Sequence, residues 1–223
     1  MPLSYKEQSG PAAEPLSLDE AKTQCAVDAA FAADDTLIQS LIVAARQHVE
    51  KITNRAIFNR SMKLWLDHFP YPDFSGTINP NDRHCLFGTM WHQLAIKLPM
   101  PGCVSVDSIT YIDLGGTTQT LDPSLYFADV NSEPARIVPK PGAYWPYSQS
   151  WLPNSVCVSY TAGTYGDGVS TNNCPETIRQ AMRLLISYWY AHRDAAESQP
   201  PKEIDMGVQA VLAGEIFDTF GLN

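Results

Sequence analysis

The chain has 223 residues, 24 of them acidic and 15 basic, and its formal net charge is -9. Hydrophobic residues make up 44% of it, which is enough for a folded core and excludes wholesale disorder. The acidic balance argues against a protein that grips nucleic acid, because such proteins need a basic face. No stretch approaches the roughly 18 apolar residues of a membrane span.

The first quarter of the chain predicts an arm followed by two helices. Residues 1–16 are polar, lack an apolar period and predict a flexible N-terminal arm. Ser17 and Glu20 have the spacing of a capping box, which predicts a short helix. Asp34-Asp35 begins a longer helix, and Asn54 suits a left-handed stop. The apolar residues of this longer helix recur at helical spacing: Leu37, Ile38, Leu41, Ile42, Ala45, Val49 and Ile52.

The middle of the chain predicts a β-rich module. After Arg60 the apolar period changes to two, which is typical of a half-buried strand. Residues 71–93 are rich in Pro, Asn, Asp and Gly and predict a long loop. Gly115-Gly116 predicts a hairpin turn. Further short strands are predicted at 94–98, 104–113, 117–121, 125–128, 136–138 and 156–161.

Helical spacing returns at Pro175, which is predicted to occupy the first helical position. A linker at 195–201 precedes a last amphipathic helix at 206–217. We therefore expect an α+β fold, in which N- and C-terminal helices (17–58 and 175–194) form a small bundle around a β-rich insertion at 59–174. Residues 195–223 form a separate C-terminal segment in this interpretation.

The sequence predicts no catalytic set, no cofactor and no metal site. The five cysteines are odd in number and widely spaced, which indicates reduced thiols in a protein made in the cytosol. Gly163 to Gly168 has the spacing G-x-x-G-x-G, which is not that of a dinucleotide loop. One cluster combines imidazoles and thiols, but its spacing is not that of a structural zinc site, so a metal-dependent enzyme remains a less favoured alternative. This cluster consists of His84, Cys85, His92 and Cys103.

Aromatic side chains are dense in a proline-rich segment of the β-rich module. Rings interleaved with proline favour a protein interface, since they bury much area at small entropy cost. Burial of these rings in the core is the alternative, and the sequence favours neither interpretation over the other. The candidate subunit-interface residues are Tyr144, Trp145, Tyr147 and Trp151.

The order of several motifs resembles the head-to-tail connector proteins of tailed phages, also called head-completion adaptors. No single motif is specific, but their order and spacing are similar to the family's from Leu16 to about Leu212. The matching segments are Leu16–Lys22, Asp34–Ile38, Thr53–Arg55, Leu98–Pro101, Ser105–Asp113, Leu121–Tyr126, Arg136–Pro139, Tyr160–Gly163, Pro175–Ala181 and Trp189–Arg193. Residues 71–93 are longer than usual for the family, and the chain beyond Ala213 is less similar to it.

The resemblance implies a structural, non-enzymatic virion protein made in the host cytoplasm. It implies a ring, usually of twelve copies, that joins the portal to the tail or to another neck protein. Viral DNA would pass through its lumen without sequence-specific binding, and an acidic wall suits such passage. A tail-completion or stopper protein of the same neck is the alternative. The C-terminal segment would dock on the portal, through the candidate residues Ile204, Val208, Val211, Leu212, Ile216 and Phe217.

Overall fold

The computed structural model describes residues 4–71, 94–149, 151–192 and 202–217, without the side chains of 202–205. Helices and antiparallel sheets are both present, so the predicted α+β class is confirmed. The described residues divide into a β unit (residues 4–10 and 60–162) and a helical unit (residues 11–59 and 163–217). The predicted loop at 71–93 lies outside the described residues except for Tyr71.

The β unit contains a five-stranded antiparallel sheet, formed by β1 (Ser4–Glu7), β2 (Arg60–Leu66), β4 (Cys103–Ile112), β5 (Thr118–Thr120) and β8 (Val156–Ala162). The order of these strands in the sheet is β1-β2-β8-β4-β5. The turn between β4 and β5 falls at the predicted Gly-Gly pair, and Gly116 adopts a positive φ of 83°. Asp113 accepts the amides of Gly115 and Thr117, both at 2.9 Å, and thereby fixes this turn.

Buried residues alternate strictly with half-buried or exposed ones along β2 and β8, so these two strands have one buried face. Leu64 is paired with Val158 on the buried face, and Lys63 is paired with Ser159 on the other. A second, three-stranded sheet has the order β3-β7-β6, formed by β3 (Ile96–Lys97), β6 (Tyr126–Asp129) and β7 (Arg136–Pro139). Ile96, paired with Ile137, is buried in this second sheet.

The N-terminal segment differs from the flexible arm predicted for residues 1–16. Ser4–Glu7 forms β1, which pairs with β2 so that Tyr5 lies opposite Leu64. The carboxylate of Glu7 accepts a hydrogen bond at 3.1 Å from Arg60, whose side chain is buried. Backbone pairing of this kind needs no apolar period, because it depends on the amides and carbonyls of an open sheet edge.

The helical unit begins with α1 (Leu18–Gln24) and α2 (Asp35–Thr53). The predicted capping box of α1 is confirmed: Ser17 Oγ accepts the amide of Glu20, and Glu20 Oε2 accepts the amide of Ser17. Asn54 ends α2 in the left-handed conformation, with φ 52° and ψ 31°, as its position predicted. Asp34 precedes α2, and its carboxylate accepts a hydrogen bond from the Tyr190 hydroxyl at 2.6 Å.

The remaining helices are α3 (Glu176–Ala191) and α4 (Lys202–Leu212). Pro175 is the residue before the first helical residue of α3, one position earlier than predicted. The last helix begins and ends earlier than the predicted 206–217. A single core joins apolar residues from both ends of the chain, including Ile38, Ile42, Val49, Ile178, Met182, Leu185, Val208 and Leu212.

The segment 163–174 belongs to the helical unit, whereas the sequence placed it in the β-rich insertion. The amides of Thr164 and Tyr165 donate to the carbonyls of Ala56 and Ile57, both at 3.0 Å. The amide of Asn59 donates in turn to the carbonyl of Gly166 at 2.9 Å. These long-range backbone bonds leave no signal in the local sequence pattern.

Candidate interaction surfaces

The four aromatic residues proposed for a subunit interface separate into one anchor and three exposed rings. Tyr144 is 84% exposed, and Tyr147 and Trp151 are each 75% exposed. Trp145 is only 5% exposed and belongs to the core of the β unit. The core interpretation therefore holds for Trp145, while a role of the three exposed rings in a subunit interface stays a prediction.

Trp145 is held by stacking and by a hydrogen bond. Its ring lies parallel to that of Phe69, with centroids 5.1 Å apart and an interplanar angle of 9°. Its Nε1 donates to the carbonyl of Leu94 at 2.8 Å, which satisfies the polar end of the buried side chain. Phe69 in turn contacts Tyr111 edge-on at 5.6 Å. This cluster fixes the segment from which the exposed rings project.

Tyr71 joins the exposed rings, although the sequence placed it only at the start of a loop. Its ring stacks on Tyr147 at 6.0 Å, and its hydroxyl donates to the carbonyl of Pro146 at 3.0 Å. His68 also stacks on Tyr71, with ring centroids 6.2 Å apart. We call Tyr71, Tyr144, Tyr147 and Trp151 the aromatic ridge.

Charge is absent from the chain segment that contains most of this ridge. No Asp, Glu, Lys or Arg occurs between Lys140 and Asp167. This uncharged run is a signal in the sequence that separates the ridge from an ordinary solvated loop. Acidity is concentrated elsewhere: residues 11–59 and 163–221 carry 15 acidic and eight basic side chains, and the rest of the chain carries nine and seven.

The candidate portal-binding residues lie in and after α4, mostly on its inner side. Val208 and Leu212 are buried in the core of the helical unit, Phe217 is buried and Val211 is half-buried. Ile216 is 42% exposed and Met206, which the sequence did not single out, is 69% exposed. Ile204 lies within α4, but its side chain is outside the described residues.

Residues 212–217, which we call the C-terminal clasp, are bound to the end of α2. The amide of Phe217 donates to the carbonyl of Thr53 at 2.8 Å, and Asn54 Nδ2 donates to the carbonyl of Phe217 at 3.3 Å. Arg55 Nε donates to the carbonyl of Glu215 at 3.0 Å, and its guanidinium lies 5.6 Å from the centroid of the Phe217 ring. The backbone of the clasp is therefore held at Glu215 and at Phe217.

The side chain of Glu215 gives the C-terminal clasp two further hydrogen bonds. Its carboxylate accepts hydrogen bonds from the Tyr165 hydroxyl at 2.6 Å and from the Thr177 hydroxyl at 3.3 Å. Burial raises the pKa of Tyr165 most, and the hydrogen bond to Glu215 raises this pKa further, so the hydroxyl remains a donor. The order of the clasp thus depends on side chains that are distant in the sequence.

The proposed His/Cys cluster is only partly within the described residues. His84, Cys85 and His92 lie outside them. Cys103 is buried. This burial, together with the smaller effect of the nearby Asp107 charge, raises the pKa of its thiol to about 11. Within the described ranges, no group of three His, Cys, Asp or Glu side chains could hold a metal ion. None of the described cysteines, which are Cys25, Cys103, Cys157 and Cys174, forms a disulfide.

Comparison with known proteins gives a family match for part of the chain and similar solved structures for nearly all of it. Residues 15–78 match the model of the phage gp6-like head-tail connector protein family. No curated protein matches the chain. No helix in the described part of the chain has the length and apolar character that a membrane crossing requires.

Solved structures of gene transfer agent particles contain chains of the same fold. One is the neck of an empty particle computed with C6 symmetry, with a TM-score of 0.68 and 21% identity over 98% of both chains. A second is the virion of a native particle, with a TM-score of 0.65 and 20% identity over 97% of both chains. A third is the neck of a native particle computed with C12 symmetry, with a TM-score of 0.61 and 21% identity over 98% of both chains. The match to the family model over residues 15–78 confirms, for that part of the chain, the resemblance to phage head-to-tail connector proteins that the motifs predicted.

Proposed function

We propose that the chain is a structural protein of a virion neck, an adaptor that forms a ring and joins the portal to the tail. The observation that carries this proposal is the family match over residues 15–78. The fold is shared over nearly the whole chain with proteins in solved necks, which supports the same interpretation. The protein would be made in the host cytoplasm and act in the assembled particle, without catalysis.

A ring of this protein would extend the DNA channel without gripping the DNA. Necks that contain this fold have been computed with C6 and C12 symmetry, and a twelve-membered ring agrees with both. A net charge of -9 per copy supplies few cations to bind phosphates. We therefore expect DNA to pass through the lumen without sequence-specific contacts.

We further propose that the C-terminal segment contacts the portal, with its two sides in different roles. Val208, Leu212 and Phe217 hold the segment to the helical unit, because they are buried there. Met206 and Ile216 are exposed and are available for docking without loss of that core. Docking through the buried side chains would require α4 to leave the helical unit.

Imaging of the purified chain with its portal tests the adaptor role directly. We expect a ring on the portal at high protein concentration. A free monomer would not contradict the proposal, since assembly can depend on the portal. The proposal fails if neither a ring nor a portal complex forms with a portal that accepts the rest of the neck.

Two sets of variants separate portal docking from folding. Deletion of residues 204–223 should abolish docking and leave the β unit folded, as judged from the protection of the β2 and β8 amides against hydrogen exchange. Met206→Ser with Ile216→Ser should weaken docking and leave the thermal unfolding midpoint within about 2 °C, as for exposed positions. Normal docking by both proteins would remove the C-terminal contact from the proposal.

A tail-completion or stopper protein of the same neck is the second candidate, because the similar chains belong to whole necks and do not distinguish the portal side from the tail side. Cross-linking inside intact particles separates the two roles. Adducts with the portal favour the adaptor, and adducts with tail proteins alone favour the second candidate. A metal-dependent enzyme based on residues 84–103 would instead need stoichiometric metal in elemental analysis.

A further inference from the structure

The connection between α1 and α2 is held in one conformation, although most of its side chains are exposed. We call residues 26–34 the Phe31 loop. Ala26 adopts a positive φ of 55° at its start. The amide of Phe31 donates to the carbonyl of Asp28 at 3.0 Å, and the amide of Ala30 donates to Asp28 Oδ1 at 2.9 Å. These local bonds fix the turn that presents Phe31.

A buried lysine holds the same loop from inside the helical unit. Lys22 is only 3% exposed, and its Nζ donates to the carbonyls of Ala29 at 3.1 Å and Phe31 at 3.0 Å. The same Nζ pairs with Asp35 at 2.5 Å. Burial of an ammonium group is costly unless its hydrogen bonds are satisfied, so this lysine fixes the backbone of the loop firmly. The Phe31 side chain nevertheless remains 48% exposed.

The exposed surface of the Phe31 loop is apolar and bordered by acid. Its exposed apolar side chains are Ala29, Ala30, Phe31, Ala32 and Ala33. Lys22 neutralises Asp35, and Asp28 and Asp34 therefore leave the loop with negative charge. A partner for such a surface must offer apolar side chains with accessible cations around them.

The β unit has a surface of that kind on one face of the β6–β7 pair. Phe127 lies directly opposite Val138, and the amide of Lys140 donates to the carbonyl of Leu125 at 3.0 Å. Leu125, Phe127 and Val138 therefore lie on the same face, because side chains opposite each other or two residues apart on strands share a face. Phe127 is 57% exposed and Leu125 43% exposed. We call these three residues the β6–β7 patch.

Charged side chains of both signs border the β6–β7 patch. Lys140 lies opposite Leu125 at one end, and at the other end Arg136 lies opposite Asp129 and Lys97. Cations and carboxylates are equal in number here: Lys97, Arg136 and Lys140, with Asp122, Asp129 and Glu133. An acidic loop thus finds cations beside the apolar side chains and no excess of like charge.

We propose that the Phe31 loop of one copy packs against the β6–β7 patch of the neighbouring copy in the ring. This inference rests on the proposed neck function and names two surfaces that meet within it. Closed rings with more than two members join two different surfaces of adjacent copies, and the loop and the patch are two such surfaces. The bonds of Lys22 lower the conformational entropy that the loop loses on binding.

Photo-cross-linking in assembled particles tests this contact. A benzophenone amino acid replaces Phe31, and the particles are irradiated. We expect an adduct at twice the chain mass of 24.6 kDa, in which mass spectrometry locates the new bond within residues 122–140 of the second copy. The matched control places the same amino acid at Val169, which is 72% exposed in the helical unit, and should give no bond to those residues.

The outcomes distinguish this inference from the function on which it rests. Adducts of position 31 with another particle protein, with DNA or with other residues of a second copy overturn the proposed contact and leave the neck function standing. Particles that contain the chain but give no adduct do the same. Absence of the unmodified chain from particles overturns the neck function itself.

A double-mutant cycle tests whether the two phenylalanines act on the same contact. Phe31→Ser and Phe127→Ser should each lower the amount of chain per particle at least about tenfold, as for loss of an interface hot spot. The double variant should lower it little further, because residues in mutual contact are not additive. Multiplied losses, or unchanged amounts in either single variant, contradict the proposal.

Folding is checked separately in the same variants. Both single variants should keep the circular dichroism spectrum of the parent chain at the temperature of assembly, since both rings are about half exposed. Val169→Ser is the matched control and should leave the amount of chain per particle unchanged. An equal loss in this control would show that the assay reports general surface changes, which would also overturn the contact.

Discussion

Arg46 Nη1 donates a hydrogen bond to Glu50 Oε2 at 2.8 Å, with side-chain exposures of only 6% and 7%. Glu14 accepts from Arg46 Nε at 2.8 Å, and the other oxygen of Glu50 accepts the amide of Ile57 at 3.0 Å. Burial by itself would lower the pKa of Arg46, but Glu50 and Glu14 outweigh it and raise the pKa. The cluster attaches the segment before α1 and the chain after α2 to one helix.

Removal of the cation from this cluster should destabilise the helical unit strongly. We expect Arg46→Met to lower the free energy of unfolding by about 3 kcal/mol, because the buried Glu50 carboxylate then loses the cation beside it. Glu50→Gln, which keeps a hydrogen-bond acceptor for Ile57, should cost less. Urea unfolding followed by circular dichroism measures both. Equal losses from the two variants would contradict the assignment of the cost to an unpaired charge.

The two tryptophans of the ridge segment should respond in opposite ways to truncation. Trp145→Ala should lower the free energy of unfolding by about 3–5 kcal/mol, since it removes a buried ring stacked on Phe69. Trp151→Ala should change it by less than about 0.5 kcal/mol, as for exposed positions. Thermal unfolding of the two variants in parallel checks this contrast. A large loss of stability in Trp151→Ala would show that its ring is structural.

Gly163 should not tolerate a side chain, although its φ is not positive. A Cβ at this position would lie 2.4 Å from the amide nitrogen and 2.5 Å from the Cα of Asn59. We expect Gly163→Ala to destabilise the protein by about 2 kcal/mol or more, because backbone atoms must move. Gly207→Ala in α4 is the matched control: its Cβ meets nothing within 4 Å, and it should stabilise by about 0.5–1 kcal/mol. Urea unfolding decides, and a stable Gly163→Ala protein would contradict the close approach.

Asp167 gives a pH dependence with a defined direction. Its carboxylate accepts hydrogen bonds from the Ser170 hydroxyl at 2.5 Å and from the amides of Thr171, Ser170 and Val169 at 2.7–3.1 Å. The Ser170 hydroxyl is the largest cause and, with these amides, lowers the pKa of Asp167 from 3.8 to about 2. The stability from this turn is therefore present above pH 3.8 and is lost as the pH falls toward 2.

Carboxyl titration by nuclear magnetic resonance measures the pKa of Asp167 directly. Ser170→Ala should move this pKa back toward its ordinary value. Asp167→Asn should weaken the dependence of stability on pH in the same interval. A pKa near 3.8 in the parent chain would show that the turn hydrogen bonds do not hold the carboxylate.

The sequence by itself predicted features that depend on local chemistry. The capping box at Ser17, the left-handed stop at Asn54 and the turn at Gly115-Gly116 each require particular residues at fixed short spacings. Apolar periods of 3.6 and 2 separated the helical ends of the chain from its β-rich middle. The family resemblance likewise followed from the order of short motifs.

The tertiary structure decided what depends on distant partners. Whether Trp145 or Trp151 faces solvent follows from the position of Phe69 and Leu94, which no local period encodes. The burial of Val208 and Leu212 follows from the core that α2 and α3 form together, and Phe217 is held by the carbonyl of Thr53, more than 150 residues earlier in the chain. β1 forms because an open strand edge accepts it, and edge pairing depends on backbone groups that every residue carries.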